Sequence, residues 1–156
     1  MKVVIERALE KDADELMEAQ NAAFKRDFLN YGECPSYITE RGTMVEKIRK
    51  AIFYKISLAD GKIVGGIEIY PRNGFHYHLY MICVHPDYQN KGIGRDAIEF
   101  MLSKHPEAII WSLATPKDNP QTRHLYEKVG FVKSAEIASP GGVALVIYEL
   151  LNKNAR

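Results

Sequence analysis

Cysteine, tryptophan and net charge are all scarce in this chain of 156 residues. Its two cysteines, Cys34 and Cys83, show no metal-ligand spacing, and a chain of this length can bury a core without disulfides, so no metal site is expected. Cys83 falls in an apolar strand pattern and is expected to be buried packing. Cys34 sits in a polar stretch and is the more reactive of the two, with no His/Asp arrangement that would make it a nucleophile. A formal net charge of +1 excludes the global basic field that drives binding to nucleic acid or anionic membranes, and neither partner is expected. No apolar run approaches membrane-spanning length, and the opening MKVVIERALE lacks the apolar core of a secretory leader, so a cytoplasmic location is expected. What is present, 46% hydrophobic and 26% charged residues, suits one globular domain over residues 1–156 without repeats or linkers.

The most informative stretch is residues 80–104, YMICVHPDYQNKGIGRDAIEFMLSK. An apolar strand pattern ends near Val84, a polar turn crosses residues 85–91, and a helical pattern begins at Gly92. The first amides of a helix lack intrahelical partners and stand at the positive end of its dipole, so a loop that gathers them there can hold a phosphate. Glycine at 92 and 94 lets the backbone approach such a ligand, and Lys91 and Arg95 add positive charge at the same end. A dinucleotide fingerprint has its third glycine where Ala97 stands, a tolerated replacement, but its first glycine follows the strand more tightly than the eight residues seen here. Nucleotide binding therefore remains a competing reading.

Elsewhere the periodicity predicts a strand at residues 3–5 and a helix over 12–23. Residues 25–42, with Gly32, Pro35 and several aromatics, are expected to form an irregular, lid-like segment of the kind that carries specificity. Thr43 and Glu46 have capping-box spacing and open a second helix that should end before Ile56. Strands are expected at 53–59 and 63–70 around the Asp60-Gly61 turn, and at 75–84 after the turn at 71–74. A helix to Lys104, a buried strand at 108–114, a helix over 121–129 closed by Gly130, and strands at 131–137 and 143–151 complete the order. The last strand either ends the sheet or pairs with a second copy as a homodimer. This order implies an α/β fold, a mixed sheet with helices on both faces.

VHPDYQNKGIGRDAIEFML resembles the acetyl-coenzyme A signature of the GNAT N-acetyltransferase superfamily, with Val84 and Pro86 ahead of Gln89, Asn90, Lys91, Gly92, Ile93 and Gly94. The element order is also that of the GNAT fold, whose central sheet is mostly antiparallel and splayed. The resemblance implies acetyl-CoA as co-substrate, its pantetheine arm paired with backbone groups of Ile82, Cys83 and Val84, and its diphosphate on amides from Asn90 to Arg95. NPQTRHLYEKVGF is similar to the family's second cofactor segment and implies that Asn119 bonds the pantetheine region while the Tyr126 hydroxyl faces the sulfur. Tyr126 is the candidate general acid for the leaving thiolate.

The general base has two candidates. In histone-type members the glutamate that deprotonates the amine through water stands six residues before the position of Val84, and here that residue is His78. Imidazole suits the task, since its ordinary pKa lies nearest neutrality. Glu68 on the preceding strand is the rival, whereas the glutamate used by ribosomal-protein-type relatives corresponds to Ala114. Along β-spaced positions His78, Tyr80, Ile82 and Val84 share one face and Tyr77, Leu79, Met81 and Cys83 the other. Trp111 is expected in the core, lining the pocket with Leu113, while His85 and His105 are expected to be structural. The resemblance implies direct acetyl transfer in a ternary complex to a primary amine of a small molecule or peptide, a cationic one if Asp27, Glu33, Glu40 and Glu68 line the lid side. The alternative is a catalytically idle acyl-CoA-binding sensor or partner subunit.

Overall fold

The computed structural model describes residues 1–155, and it folds into seven strands and four helices. They are β1 (Val3–Arg7), α1 (Ala13–Tyr31), α2 (Arg41–Lys50), β2 (Ile52–Leu58), β3 (Ile63–Pro71), β4 (His76–Val84), α3 (Ile93–Lys104), β5 (Ile110–Pro116), α4 (Pro120–Val129), β6 (Val132–Ala138) and β7 (Ala144–Leu151). The strands form one sheet in the order β1-β2-β3-β4-β5-β7-β6. Pairing is antiparallel for β1/β2, β2/β3, β5/β7 and β6/β7 and parallel for β4/β5, the mixed, mostly antiparallel sheet expected. The parallel ladder is short: it joins His76, Tyr77 and His78 to Ile110, Trp111 and Ser112, and residues 79–84 of β4 lie beyond it.

The chain divides into two compact units, Met1–Ile69 with Met81–Ala97, and Tyr70–Tyr80 with the described residues from Ile98 on. The first is built on Leu16, Met44, Phe53, Ile56, Ile67 and Ile69, all fully buried. The second is built on Trp111, Tyr148, Leu79, Ile98 and Met101. Alternation on β4 runs as expected, with Tyr77, Leu79, Met81 and Cys83 buried and the intervening residues more open.

Four expectations change. The first helix does not stop at residue 23, because residues 24–31 hold no glycine or proline, and it ends only where Gly32 turns left-handed at φ 70°. The segment after it is fastened rather than loose. Gln20 Nε2 donates to the Ser36 carbonyl at 2.7 Å, Asn21 exchanges two bonds with the Ile38 backbone at 2.7 and 2.8 Å, and Phe28 stacks on Tyr37 with ring centroids 4.7 Å apart. The second helix starts at Arg41 with Glu40 at its cap, so Thr43 sits inside the first turn, its N–H already donated to the Glu40 carbonyl, and no capping box forms there. The fourth change concerns the last two strands and β5. β7 runs between β5 and β6, so β6, with every residue exposed, is the sheet edge. β5 begins two residues later than expected because the N–H of Ala108 closes a turn onto His105 and that of Ile109 bonds the Phe75 carbonyl.

β3 passes unusually close to the end of β4. A Cβ on Gly65 would lie 2.1 Å from the Cys83 carbonyl oxygen, and the β2/β3 register slips between Ile56 and Ser57 opposite this point. Only glycine permits that approach.

Candidate active site

The turn after β4 is shaped by its own hydrogen bonds. The His85 N–H donates to the Val64 carbonyl at 2.7 Å, residues Pro86–Tyr88 make a short 3-10 turn, and Gln89 Nε2 donates to the Val84 carbonyl at 2.9 Å. Gln89 thus spends its amide N–H on folding the loop back over the strand end. Beyond it Asn90 (φ 61°) and Gly92 (φ 82°) are both left-handed, and the Gly92 carbonyl accepts the first helical bond of α3 from the Asp96 N–H at 3.0 Å. Alternation of left-handed residues with the helix start turns successive N–H groups inward, the geometry of a backbone anion nest. By helix geometry the amides of Ile93, Gly94 and Arg95 have no intrahelical acceptor. Open space lies where a Gly92 Cβ would stand, and the Lys91 and Arg95 side chains are exposed. A donor set of backbone amides and two cations fits a diphosphate. Gly92→Ala is therefore expected to cost about 1–2 kcal/mol through its φ alone, and to weaken coenzyme A binding about tenfold in a calorimetric titration.

In the second unit Asn119 caps α4, its Oδ1 accepting from the Thr122 N–H at 3.2 Å, while its Nδ2 donates to nothing among the described residues. Tyr126, two turns along, is 7% exposed and packs edge-on to Phe131, centroids 5.7 Å apart, and tilted against Tyr148 at 6.5 Å. Trp111 and Leu113 lie on the buried face, Trp111 edge-on to Tyr77 and His105, so they form core and line no open surface. His105 is structural as expected, its Nδ1 3.0 Å from Glu107 and its carbonyl accepting from Asn152 Nδ2. His85 is likewise local, its Nδ1 accepting from the Asp87 N–H.

The two base candidates have different surroundings. Glu68 is fully buried, and its Oε2 lies 3.1 Å from the ammonium of Lys47 on α2. His78 is half-buried, with Nδ1 2.8 Å from the Ser112 hydroxyl. Burial first, then the positive charge of Arg72 and of His76, pushes its pKa down to about 4, so the ring is neutral at pH 7. With the folded value below the unfolded one, the unfolded chain binds the proton more readily, and the stability this group contributes is complete above its ordinary pKa of about 6.5 and lost as pH falls toward 4. Urea titrations at pH 7.5 and 4.5 should show a smaller loss on acidification for His78→Gln than for wild type. Equal losses would contradict it.

Burial also pushes the Cys34 thiol up, and that of Cys83 to about 12, so neither is an activated nucleophile, and Cys34 is less reactive than its polar sequence context suggested. Sequence reasoning missed Ser112 altogether. It lies in the apolar run AIIWSLA, where a lone serine gives no periodic signal.

A mixed seven-stranded sheet with a left-handed turn ahead of α3 defines an α/β fold. The chain belongs to the acetyltransferase (GNAT) family, whose pattern matches residues 13–131. It is similar in fold to the ribosomal-protein-S18-alanine N-acetyltransferase from Escherichia coli, with TM-score 0.77 and 17% identity over 97% of this chain and 94% of that one. It is similar to the PaiA N-acetyltransferase from Thermoplasma acidophilum, solved in complex with coenzyme A, with TM-score 0.76 and 20% identity over 97% and 99% of the two chains. A spermidine N-acetyltransferase SpeG K23-Q34 chimera from Vibrio cholerae and hSSAT matches with TM-score 0.78 and 18% identity over 97% of this chain and 96% of that one. Among curated proteins, the uncharacterized N-acetyltransferase ycf52 of Pyropia yezoensis is 31% identical over 78 residues, 50% of this chain and 44% of that protein. The UPF0157 protein YqkA of Bacillus subtilis is 30% identical over 94 residues, 60% of this chain and 27% of that protein. The chain thus spans less than half the length of the curated relatives it matches. Among the described residues no helix is long and apolar enough to cross a membrane.

Proposed function

We propose that the chain is an acetyl-CoA-dependent N-acetyltransferase that moves the acetyl group directly to a primary amine. The observation that carries this reading is the amide array of residues 90–95, with Asn90 and Gly92 left-handed ahead of α3, in a family that uses acetyl-CoA. Ile93, Gly94 and Arg95 would hold the diphosphate through their N–H groups, with Asn90, Lys91 and Gly92 shaping the cradle and Gln89 holding the loop to the strand end. Backbone groups of Ile82, Cys83 and Val84 would pair with the pantetheine, and Asn119 Nδ2 would donate to it. The bound co-substrate supplies an activated acetyl thioester and a thiolate leaving group.

This chain's own residues then manage protons and position. Tyr126 donates its phenolic proton to the leaving sulfur. His78, neutral at pH 7 and with Nε2 bonded to nothing among the described residues, accepts the amine proton directly or through water. Glu68 is the weaker base candidate, since its carboxylate is buried against Lys47 and a displaced Lys47 would leave a charge uncompensated.

The test is thiol release from acetyl-CoA with a panel of amines, including a polyamine, a peptide with N-terminal alanine and single amino acids. Amine-dependent release with a matching acetylated product is expected for at least one. Coenzyme A binding without transfer to any amine would replace this reading with an idle acyl-CoA-binding module. Thermal protection by ATP or NAD in place of acetyl-CoA would point instead to nucleotide binding.

A further inference from the structure

One hydroxyl stands between two imidazoles in the second unit. Ser112 Oγ lies 2.8 Å from His78 Nδ1 and 2.9 Å from His76 Nε2, across the short parallel ladder that sets His78 opposite Ser112. Ser112 is 7% exposed, and Oγ has no third hydrogen-bond partner among the described residues. A serine oxygen carries a single proton. If it is given to one ring, the other ring must donate to Oγ, so the tautomers of His76 and His78 are tied together. A polar trio shared by two otherwise apolar strands is costly to bury unless its members satisfy one another.

We propose that Ser112 is a positioning residue that joins His78 and His76 into one proton relay, through which the proton of the acceptor amine leaves the reaction. This rests on the transfer reading above and adds Ser112 and His76 to its base, His78.

In the resting arrangement His78 carries its proton on Nδ1 and donates it to Ser112 Oγ, Ser112 donates to His76 Nε2, and His76 is protonated on Nδ1. His78 Nε2 then presents a lone pair. When Nε2 takes the amine proton, the Nδ1 proton passes to Oγ, the Oγ proton passes to His76 Nε2, and His76 releases its Nδ1 proton to water. One proton enters and one leaves, and no ring holds a lasting positive charge. Exchange with water after product departs restores the starting tautomers. Such an exit is needed because His78 sits where burial and the charge of Arg72 disfavour its cation. His76 stands at the start of β4, beside exposed residues 72–75, where water can take the proton. The other charged group in register on this face is Glu149 of β7, exposed opposite Ser112.

The test uses the full chain in two arms. In long-range 1H–15N spectra with labelled histidine, wild type should show the Nδ1–H tautomer at His78 coupled to that at His76, with Ser112→Ala shifting the tautomer ratio and titration midpoint of both rings and Ser112→Thr restoring them. In kinetics with whichever amine wild type acetylates, Ser112→Ala and His76→Phe should each lower kcat roughly tenfold or more, move the acidic limb of the pH profile and leave KM for acetyl-CoA in place. The double variant should lose no more than either single one, as members of one unit do. Unchanged ring tautomers in Ser112→Ala, or losses that multiply in the double variant, would overturn the relay. Wild-type inactivity toward every amine would sink the transfer reading, while the spectra would still decide whether the hydroxyl is shared.

Discussion

Tyr126→Phe should lower kcat at saturating amine and acetyl-CoA by roughly 10²- to 10⁴-fold, the range typical of a lost general acid. The ring is expected to stay in place in this variant, because its packing on Phe131 at 5.7 Å and Tyr148 at 6.5 Å does not depend on the hydroxyl. The thermal midpoint should therefore move little, and KM for acetyl-CoA should stay close to wild type. A loss confined to kcat marks an interaction made only as the thiolate forms. Tyr126→Leu would lose the same proton and also the packing, so it should be both inactive and less stable. If Tyr126→Phe turns over like wild type, the phenol is core and nothing more.

Gly65→Ala is expected to have the largest effect on stability. A new Cβ 2.1 Å from the Cys83 carbonyl cannot be accommodated by a side-chain rotation, since the obstacle is backbone. β3 or the end of β4 must move, and overpacking of this kind costs about 3 kcal/mol or more. The displaced segment leads directly into the 85–92 turn, whose first bond runs from the His85 N–H to the Val64 carbonyl next door. Denaturant unfolding should show the drop in midpoint, and coenzyme A affinity should fall with it. Gly66→Ala, whose nearest neighbours at 3.2 and 3.3 Å include the side chains of Phe53 and Leu16, should be milder. Equal stabilities of Gly65→Ala and wild type would contradict the close strand approach.

The turn ahead of α3 was legible because its signal is local. A strand end, a polar stretch and two spaced glycines lie within one continuous run, and the backbone took the conformation that run requires, down to the positive φ at Gly92. The hairpin of β2 and β3 followed from turn chemistry at Asp60-Gly61, where the Lys62 N–H bonds the Asp60 side chain. What stayed hidden depends on partners distant in the chain. Nothing in residues 20–42 announces that Gln20 and Asn21 will fasten the segment to the helix through Ser36 and Ile38. Thr43 and Glu46 had the spacing of a cap, yet the helix had already begun at Arg41, held to Asp14 on α1 at 2.9 Å. The edge role of β6 was equally invisible, because alternation says which face a strand buries and not which neighbour it takes. Ser112 became meaningful only when the ladder set it against two histidines more than thirty residues earlier.

The account stands most directly on a titration of the full chain with coenzyme A, followed by backbone amide 1H–15N shifts. The largest changes are predicted at residues 90–95, saturating together, with Ile93, Gly94 and Arg95 moving downfield as their N–H groups gain anionic acceptors. Saturation that leaves those amides unmoved, or equal changes there with ATP and NAD, would contradict it.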